Sequence, residues 1–278
     1  MDDRGVERVA ERYRLVLPRS ALSGRVGVLS SSQVGSSLEL HDFREYQPGD
    51  DLRHLDWNAV ARTGRLILRV RKEEVAPRVE ILVDASRSMA VSERKRERTR
   101  ELAALFVRLG RAQGLAPALH WISGDVRRVG GDSPMPEDFA ARLPLPALAA
   151  RVPLRPCGVR LLVSDLLFPG SLQPLLRRLA EGAARLALVQ VLDPEDEDPS
   201  GGEGARLVDS ETDEALDRLL SWDVVARYRR RLAAHQEAID AEARMVRAAV
   251  CRLSAGRSLE ELAREALSGA VLEPRARS

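Results

Sequence analysis

Cysteine is the residue that this sequence lacks most clearly. The chain of 278 residues holds only Cys157 and Cys251. Two cysteines so far apart are too few for a disulfide framework or a cysteine zinc site, so we interpret each as a small buried apolar residue. The four histidines have no paired ligand spacing. We therefore expect structural or surface roles for all of them.

Long apolar runs are missing as well. No run reaches the roughly 18 residues that a membrane-spanning helix needs. The first residues are acidic and polar, and they lack the apolar middle of a secretory signal. These two absences predict a cytoplasmic protein.

Net charge is also nearly absent. A formal charge of +2 offers no bulk electrostatic argument for binding to nucleic acid or to a membrane surface. Arginine far outnumbers lysine, for which codon usage is a sufficient explanation. Hydrophobic residues at 44% and charged residues at 31% are typical of a soluble globular protein. The length fits one large domain with appendages, or two small domains.

One stretch of the chain, residues 79–89, organises the rest. Its first five residues are mostly branched and apolar, which predicts a buried central strand. Asp84, Ser86 and Ser88 follow at alternate positions, so their oxygens can converge on one point. Such hard oxygen ligands suit Mg²⁺ or Mn²⁺. The alternative is an ordinary strand-to-helix turn in which a serine caps the helix.

A second apolar strand, residues 159–165, ends in Ser164 and Asp165. In an open doubly wound sheet, ligands bind outside the carboxyl ends of the strands, where the strand order reverses. We therefore predict an α/β fold with a mostly parallel sheet. The predicted metal site consists of Asp84, Ser86, Ser88 and Asp165.

The spacing Asp-x-Ser-x-Ser resembles the metal-ion-dependent adhesion site of von Willebrand factor A domains. Those domains normally add a threonine from a later loop, but this chain has no threonine between Arg100 and Thr212. Ser133 is the one hydroxyl available in that loop. The resemblance thus implies a von Willebrand A-like fold with a site that is incomplete on the usual pattern.

A wider resemblance covers residues 35–90 strongly and continues weakly to about 255. Its motifs are Tyr46-Gln-Pro-Gly-Asp-Asp-Leu-Arg-His-Leu-Asp-Trp-Asn-Ala, then Ala61-Arg-Thr-Gly, Glu73-Glu74 and Asp84-Ala-Ser-Arg-Ser-Met. They resemble family fifty-eight of the bacterial domains of unknown function. Members carry a von Willebrand A-like domain and often occur beside genes for MoxR-type AAA+ ATPases. The resemblance implies a non-enzymatic protein-interaction module that works with such an ATPase.

Two other function classes stay open. A metal-dependent phosphohydrolase would use Asp84 and Asp165, although the second acid that such enzymes carry two residues after the nucleophile is replaced here by Ser86. Nucleic-acid binding through an arginine-rich strand is weaker, because that strand also holds Glu73 and Glu74 and lacks aromatic residues for stacking. The basic residues concerned are Arg62, Arg65, Arg69, Arg71 and Lys72.

Along the chain we predict three parts. Residues 1–77 form an extension with the family signature, residues 78–220 the von Willebrand A-like domain, and residues 221–278 C-terminal helices packed on it.

A helix is predicted over 92–113, with its basic run 94–100 as a solvated face and an anionic partner surface as the alternative. A short helix is predicted over 137–143. The acidic loop at 193–203 is predicted to be solvated, with calcium binding or docking to a basic partner as the alternatives. An apolar stripe spaced by seven predicts a long helix over 222–253.

Overall fold

The computed structural model describes residues 2–18, 40–45, 57–71, 78–130, 134–141, 145–168, 170–199, 206–208, 215–217 and 221–275. These residues fall into two compact units. The smaller unit lies between residues 27 and 76, and the larger unit contains the chain before and after it. The predicted three-part division of the chain stays a prediction.

A six-stranded sheet forms the centre of the larger unit. Its strands are Arg78–Asp84 (β4), Ala116–Ser123 (β5), Asp125–Val129 (β6), Val159–Ser164 (β7), Leu186–Leu192 (β8) and Ala249–Ser254 (β11). Their order is β11-β8-β7-β4-β5-β6, and every pair is parallel except β5 with β6. The chain builds outward from β4 to β6 and then returns to β7 on the other side. The predicted doubly wound, mostly parallel α/β sheet is therefore confirmed.

Helices cover both faces of this sheet. They are Asp3–Arg12 (α1), Glu93–Ala112 (α3), Leu145–Ala149 (α4), Gln173–Ala180 (α5), Pro194–Glu197 (α6), Trp222–Met245 (α7) and Leu259–Glu265 (α8). One apolar core lies between the sheet and α1, α3 and α8, and the second lies under α4, α5 and α7. Alternation along β4 divides its side chains between the faces. Val79, Ile81 and Val83 enter the first core, while Leu82 enters the second.

Two short strand pairs complete the larger unit. Tyr13–Leu15 (β1) pairs antiparallel with Leu272–Pro274 (β12), which joins the two ends of the described chain. Arg206–Val208 (β9) pairs antiparallel with Ala215–Asp217 (β10).

The smaller unit contains a two-stranded antiparallel sheet and one helix. Leu40–Glu45 (β2) pairs with Ile67–Arg71 (β3), and the helix Trp57–Thr63 (α2) lies between them in sequence. Much of the signature segment, including Asp50, Asp51 and Asp56, lies outside the described residues.

The prediction of one helix over 222–253 is wrong beyond its first 24 residues. Helix α7 ends at Met245, and residues 249–254 form the outermost parallel strand β11. The chain turns at Arg247, whose φ is +56° although it is not glycine. Neither glycine nor proline therefore marked the helix end in the sequence. The apolar residues at 246 and 253 were wrongly assigned to the helical stripe.

The short helix predicted over 137–143 is also wrong in the part that the structure describes. Residues 134–140 have no regular structure, and Ala141 makes a single bridge to Ser86. The carbonyl of Asp138 accepts a hydrogen bond from Trp121 Nε1 at 2.8 Å. The segment is therefore fixed by contacts with β5 instead of by its own helix. Ser133 lies outside the described residues.

Candidate functional site

The candidate site lies at the carboxyl edge, which is the edge of the sheet where β4, β7 and β8 end. Along the chain, β4 is the first strand of this sheet, and β5 and β6 extend the sheet on one side of it. Strand β7 pairs with the other side of β4, so the strand order reverses between β4 and β7. This reversal is the place where open α/β sheets bind ligands. Asp84 is the last residue of β4, and Asp165 follows the last residue of β7. The structure thus places both predicted acids at the predicted edge.

Asp84 is a buried carboxylate with a hydrogen bond to each oxygen. Ser164 Oγ donates to Oδ2 at 2.6 Å, and the backbone N–H of Ser86 donates to Oδ1 at 3.0 Å. The residue is 3% exposed. Burial has the largest effect and the negative charge of Asp165 the second largest, and together they raise the pKa of Asp84 to about 6. Asp84 and Asp165 therefore lie close enough to influence each other, as the sequence predicts.

The two serines of the motif contact each other. Ser86 Oγ and Ser88 Oγ are 2.9 Å apart, a hydrogen-bonding distance. Ser86 is buried, whereas Ser88 is partly exposed. Ser88 is therefore the predicted ligand that a molecule outside the sheet can reach most easily.

Asp165 is paired with a lysine that the sequence analysis did not assign to the site. Lys95 Nζ donates to Asp165 Oδ2 at 3.0 Å and to Asp196 Oδ2 at 2.7 Å. The side chain of Lys95 is 1% exposed. Burial lowers the lysine pKa, but the charges of Asp165 and Asp196 outweigh it, so the Lys95 pKa is raised on balance. We call Asp84, Lys95, Asp165 and Asp196 the carboxyl-edge cluster.

Asp193 anchors the start of α3 beside this cluster. It accepts hydrogen bonds from Ser92 Oγ and from Arg94 Nε, the latter at 2.9 Å. Ser92 is the N-cap of α3, where it accepts from the Lys95 N–H at 3.1 Å. Burial raises the pKa of Asp193, but the bonds from Arg94 and Ser92 lower it on balance. The loops after β4 and β8 are therefore joined by charged hydrogen bonds.

Helix α7 contacts the loops of the carboxyl edge through three polar residues spaced by seven. Tyr228 Oη donates to the Asp196 carbonyl at 2.5 Å. His235 Nε2 lies 2.7 Å from the Leu166 carbonyl oxygen, and Glu242 Oε1 accepts from Ser171 Oγ at 3.0 Å. These three polar residues therefore bind α7 to the loops at the carboxyl edge of the same chain.

The four predicted ligands can be tested against the needs of a divalent cation. The serine pair fits, because two oxygens about 2.9 Å apart can both contact one ion at about 2.1 Å. The carboxylates fit less well, because each Asp84 oxygen already accepts one hydrogen bond and the Lys95 ammonium lies 3.0 Å from Asp165 Oδ2. Among the described residues, no group of three or more His, Cys, Asp or Glu side chains could hold a metal. Metal binding thus stays a prediction that this arrangement does not favour.

Two predictions about charged segments are wrong where they touch the cluster. The run 94–100 does not form one solvated face, because Lys95 is buried and the Arg98 and Arg100 side chains are 15% and 14% exposed. The acidic loop is not simply solvated either, since Asp193 is buried. The sequence contained a sign of both contacts. Basic side chains in the first turn of a helix oppose the helix dipole, so they are unfavourable unless an acid lies nearby.

Two exposed apolar side chains surround the cluster. Val91, in the loop after β4, is 53% exposed, and Leu167, in the loop after β7, is 38% exposed. The two loops touch, because the Asp165 N–H lies 3.1 Å from Met89 Sδ. The carboxyl edge therefore combines an apolar rim with a buried charged base.

The comparisons with known proteins support the family resemblance. The model of the family described as "Protein of unknown function DUF58" matches residues 42–129. This match confirms the resemblance drawn from the signature motifs. No curated protein matches the chain. Among the described residues, no helix is long and apolar enough to cross a membrane.

Two solved structures are similar to this chain at low identity. One is the conserved hypothetical protein BatB from Bacteroides thetaiotaomicron, at 15% identity over 64% of this chain and 91% of that chain, with a TM-score of 0.33. The other is an aerotolerance-related membrane protein from Bacteroides fragilis, carrying multiple mutations to serines. It is 13% identical over 69% of this chain and 98% of that chain, also with a TM-score of 0.33. We draw no argument about function from either.

Proposed function

We propose that this chain, which carries the signature of the DUF58 family, is a non-enzymatic protein–protein interaction module. Its docking surface is the carboxyl edge of the sheet. The observation that carries the proposal is the exposure of Val91 and Leu167 in the loops that follow β4 and β7, where the strand order reverses and the carboxyl-edge cluster is buried. Exposed apolar side chains beside a fixed polar network are typical of protein interfaces.

The charged base makes this surface rigid. Lys95 and Arg94 link α3 to the loops after β7 and β8 through carboxylates that are themselves buried or half-buried. A surface whose loops are already ordered loses little conformational entropy when a partner binds. A preformed docking surface is therefore the role that these contacts support best.

The same contacts argue against the phosphohydrolase. A nucleophilic carboxylate needs an oxygen that is free to attack, but both oxygens of Asp84 accept hydrogen bonds and the residue is 3% exposed. Asp165, the other candidate, is held by Lys95. A phosphatase assay with Mg²⁺ separates the two functions. We expect no turnover, whereas turnover that is lost in Asp84→Asn overturns the proposal in favour of the enzyme.

The partner that the family resemblance implies is a MoxR-type AAA+ ATPase. This partner is part of the proposal, and so is the non-enzymatic character of the chain. A metal bridge between the two proteins requires a cation on Ser86 and Ser88. The partner's own carboxylate would complete that site.

A co-purification experiment tests the docking surface. Wild-type protein is mixed with a purified MoxR-type ATPase in the presence of ATP, alongside Val91→Asp and Leu167→Asp. We expect each variant to reduce the bound fraction at least tenfold, because a charge replaces an apolar contact at the interface.

Met245→Asp is the matched control. Met245 is 76% exposed at the end of α7, just before β11 begins, and so lies toward the opposite edge of the sheet. It is expected to bind like wild type. Equal binding by all four proteins contradicts the docking surface, and no binding by wild type contradicts the partner. EDTA also removes Mg²⁺ from ATP, so a metal that joins the proteins is shown by loss of binding in Ser86→Ala and Ser88→Ala with Mg²⁺ present.

A further inference from the structure

We propose that the ammonium group of Lys95 is the resident cation of the carboxyl edge. In this role it binds Asp165, one of the four predicted metal ligands, and joins that carboxylate to Asp196, as a divalent metal on Asp165 would join separate loops. This inference goes beyond the proposed docking function, because it concerns the contacts that stabilise the edge. These contacts are present with or without a partner.

The first support is where Lys95 lies. It occupies the first turn of α3, where a positive charge is opposed by the helix dipole. It is nevertheless among the largest fully buried side chains of the described residues. A buried ammonium in an unfavourable helical position needs strong compensation from nearby acids. Asp165 and Asp196 provide it.

The second support is what Lys95 connects. Its Nζ binds one carboxylate from the loop after β7 and another from α6, which follows β8. Asp196 Oδ2 also accepts the Asp193 N–H at 2.9 Å, and Asp193 binds Arg94. One cation thus joins α3 to two strand ends. A bound metal joins loops in the same way, by drawing carboxylates from separate segments onto one positive centre.

The third support is competition for Asp165. An Mg²⁺ or Mn²⁺ ion bound by Asp165 Oδ2 would lie about 2.1 Å from that oxygen. The Lys95 ammonium nitrogen already lies 3.0 Å from the same oxygen. Two positive centres on one buried oxygen repel each other strongly at low dielectric. The lysine and the metal therefore exclude each other at this carboxylate.

The fourth support is the choice of residue. Lys95 is one of only two lysines in a chain with 44 lysine and arginine residues. Lysine carries a compact point charge that can contact carboxylates from several directions, whereas arginine offers a wide planar fork. A chain that uses arginine almost everywhere, including the buried Arg160, has lysine at the buried position where one cation meets carboxylates from two different loops.

Thermal unfolding of the purified chain tests the proposal without any partner. We expect the same midpoint in Mg²⁺, in Mn²⁺ and in EDTA for wild type. Lys95→Met keeps much of the side-chain length but removes the charge, so it leaves Asp165 and Asp196 without a counter-ion. We expect its midpoint in EDTA to fall by about 10 °C. Mg²⁺ is expected to restore part of this loss, because the ion can enter the vacated position.

Arg96→Met is the matched control. Arg96 lies in the same first turns of α3 but pairs only with Glu93, which is 63% exposed. Its loss is expected to leave the midpoint unchanged in both solutions. A wild-type midpoint that rises in Mg²⁺ and falls in EDTA overturns the proposal. So does a Lys95→Met variant as stable as wild type.

A second variant covers the case in which Lys95→Met does not fold. Combining Lys95→Met with Asp165→Asn and Asp196→Asn removes the cation and both acidic charges together. Removing a whole buried charge network destabilises a protein less than removing one partner and leaving the other charges unpaired. We expect this triple variant to fold and to ignore Mg²⁺. Failure of the triple variant to fold, or a midpoint that depends on Mg²⁺, overturns the role of Lys95 as a counter-charge.

Discussion

Two buried charge groups lie at opposite ends of the same two strands, and they are built differently. Arg160 on β7 pairs with Glu80 on β4, near the start of both strands. Asp84 ends β4 four residues later, beside Ser164 and the rest of the carboxyl-edge cluster. The alternation that points Glu80 toward the second core also points Asp84 there. Asp165 follows Ser164 and binds Lys95 of α3, the helix that packs on the first core, so the second group spans the edge of the sheet.

The Arg160 group is balanced in charge and in hydrogen bonds. Arg160 Nε donates to Glu80 Oε2 at 2.9 Å, and its remaining nitrogens donate to backbone carbonyls. These carbonyls belong to Arg155, Leu179 and Glu181. Glu80 accepts a further bond from the Arg155 N–H at 2.9 Å. One positive and one negative charge meet, and the pair fastens the end of α5 to the sheet.

The carboxyl-edge cluster is unbalanced. Lys95 binds Asp165 and Asp196, whereas Asp84 makes no ion pair within the described part of the chain, and burial raises the pKa of Asp84 to about 6. A buried carboxylate without a counter-ion costs stability. The starts of β4 and β7 thus hold a charge pair that stabilises the fold, and their carboxyl ends hold a buried acid that is retained despite its cost, as functional sites often are.

Breaking the balanced pair is expected to have the largest effect. Arg160→Leu leaves Glu80 buried without its counter-ion and removes the donors from several carbonyls. We expect the free energy of unfolding to fall by about 3–5 kcal/mol, measured by urea denaturation. Arg177→Leu, on the exposed side of α5, is the control and is expected to stay close to wild type. A loss below about 1 kcal/mol for Arg160→Leu contradicts the balanced-pair interpretation.

Removing the unbalanced charge is expected to act in the opposite direction and to depend on pH. Between pH 4 and 6, folded Asp84 keeps a proton that the unfolded chain has released, since its pKa is raised from 3.8 to about 6. Wild-type stability therefore falls as pH rises through this window and stays lower above it. Asn does not titrate. Relative to wild type, Asp84→Asn is expected to gain about 2 kcal/mol between pH 4 and pH 7.

Urea denaturation at a series of pH values measures this gain. Glu237→Gln, an exposed carboxyl on α7, is the control, and its stability is expected to follow the wild-type pH profile. If Asp84→Asn also runs parallel to wild type, Asp84 is not an unbalanced buried charge.

The smallest expected effect concerns the hydrogen bond from Ser164 to Asp84. Ser164 Oγ lowers the Asp84 pKa, and it also accepts the Leu166 N–H at 3.0 Å. Ser164→Ala is expected to cost about 1 kcal/mol of stability and to raise the pKa of Asp84 further. Titration of the Asp84 carboxyl by NMR measures the second effect. A lower pKa in the variant contradicts the assigned role of Ser164.

Much of the carboxyl edge could be predicted because it depends on local patterns. Apolar runs ending in acids identified β4 and β7, and parallel strands bring their carboxyl ends to one edge. Asp84 and Asp165 therefore lie where they were expected. Lys95 could not be placed in this way, because its run of basic residues has no period that separates a buried position from exposed ones.

The C-terminal strand was missed for a related reason. An apolar residue at 246 and another at 253 fit a helical stripe as well as they fit the end of one element and the middle of the next. Pairing with β8 decides between the two, and that partner lies about 60 residues earlier in the chain. Short apolar segments are ambiguous until their partners are known.

Residue preferences over a few positions were enough to predict the apolar strands and the acids at their ends. The burial of Lys95 between Asp165 and Asp196, and the position of Asp84 beside them, could be seen only in the folded chain. Charge compensation acts through space at a few ångströms, so it depends on how distant loops come together.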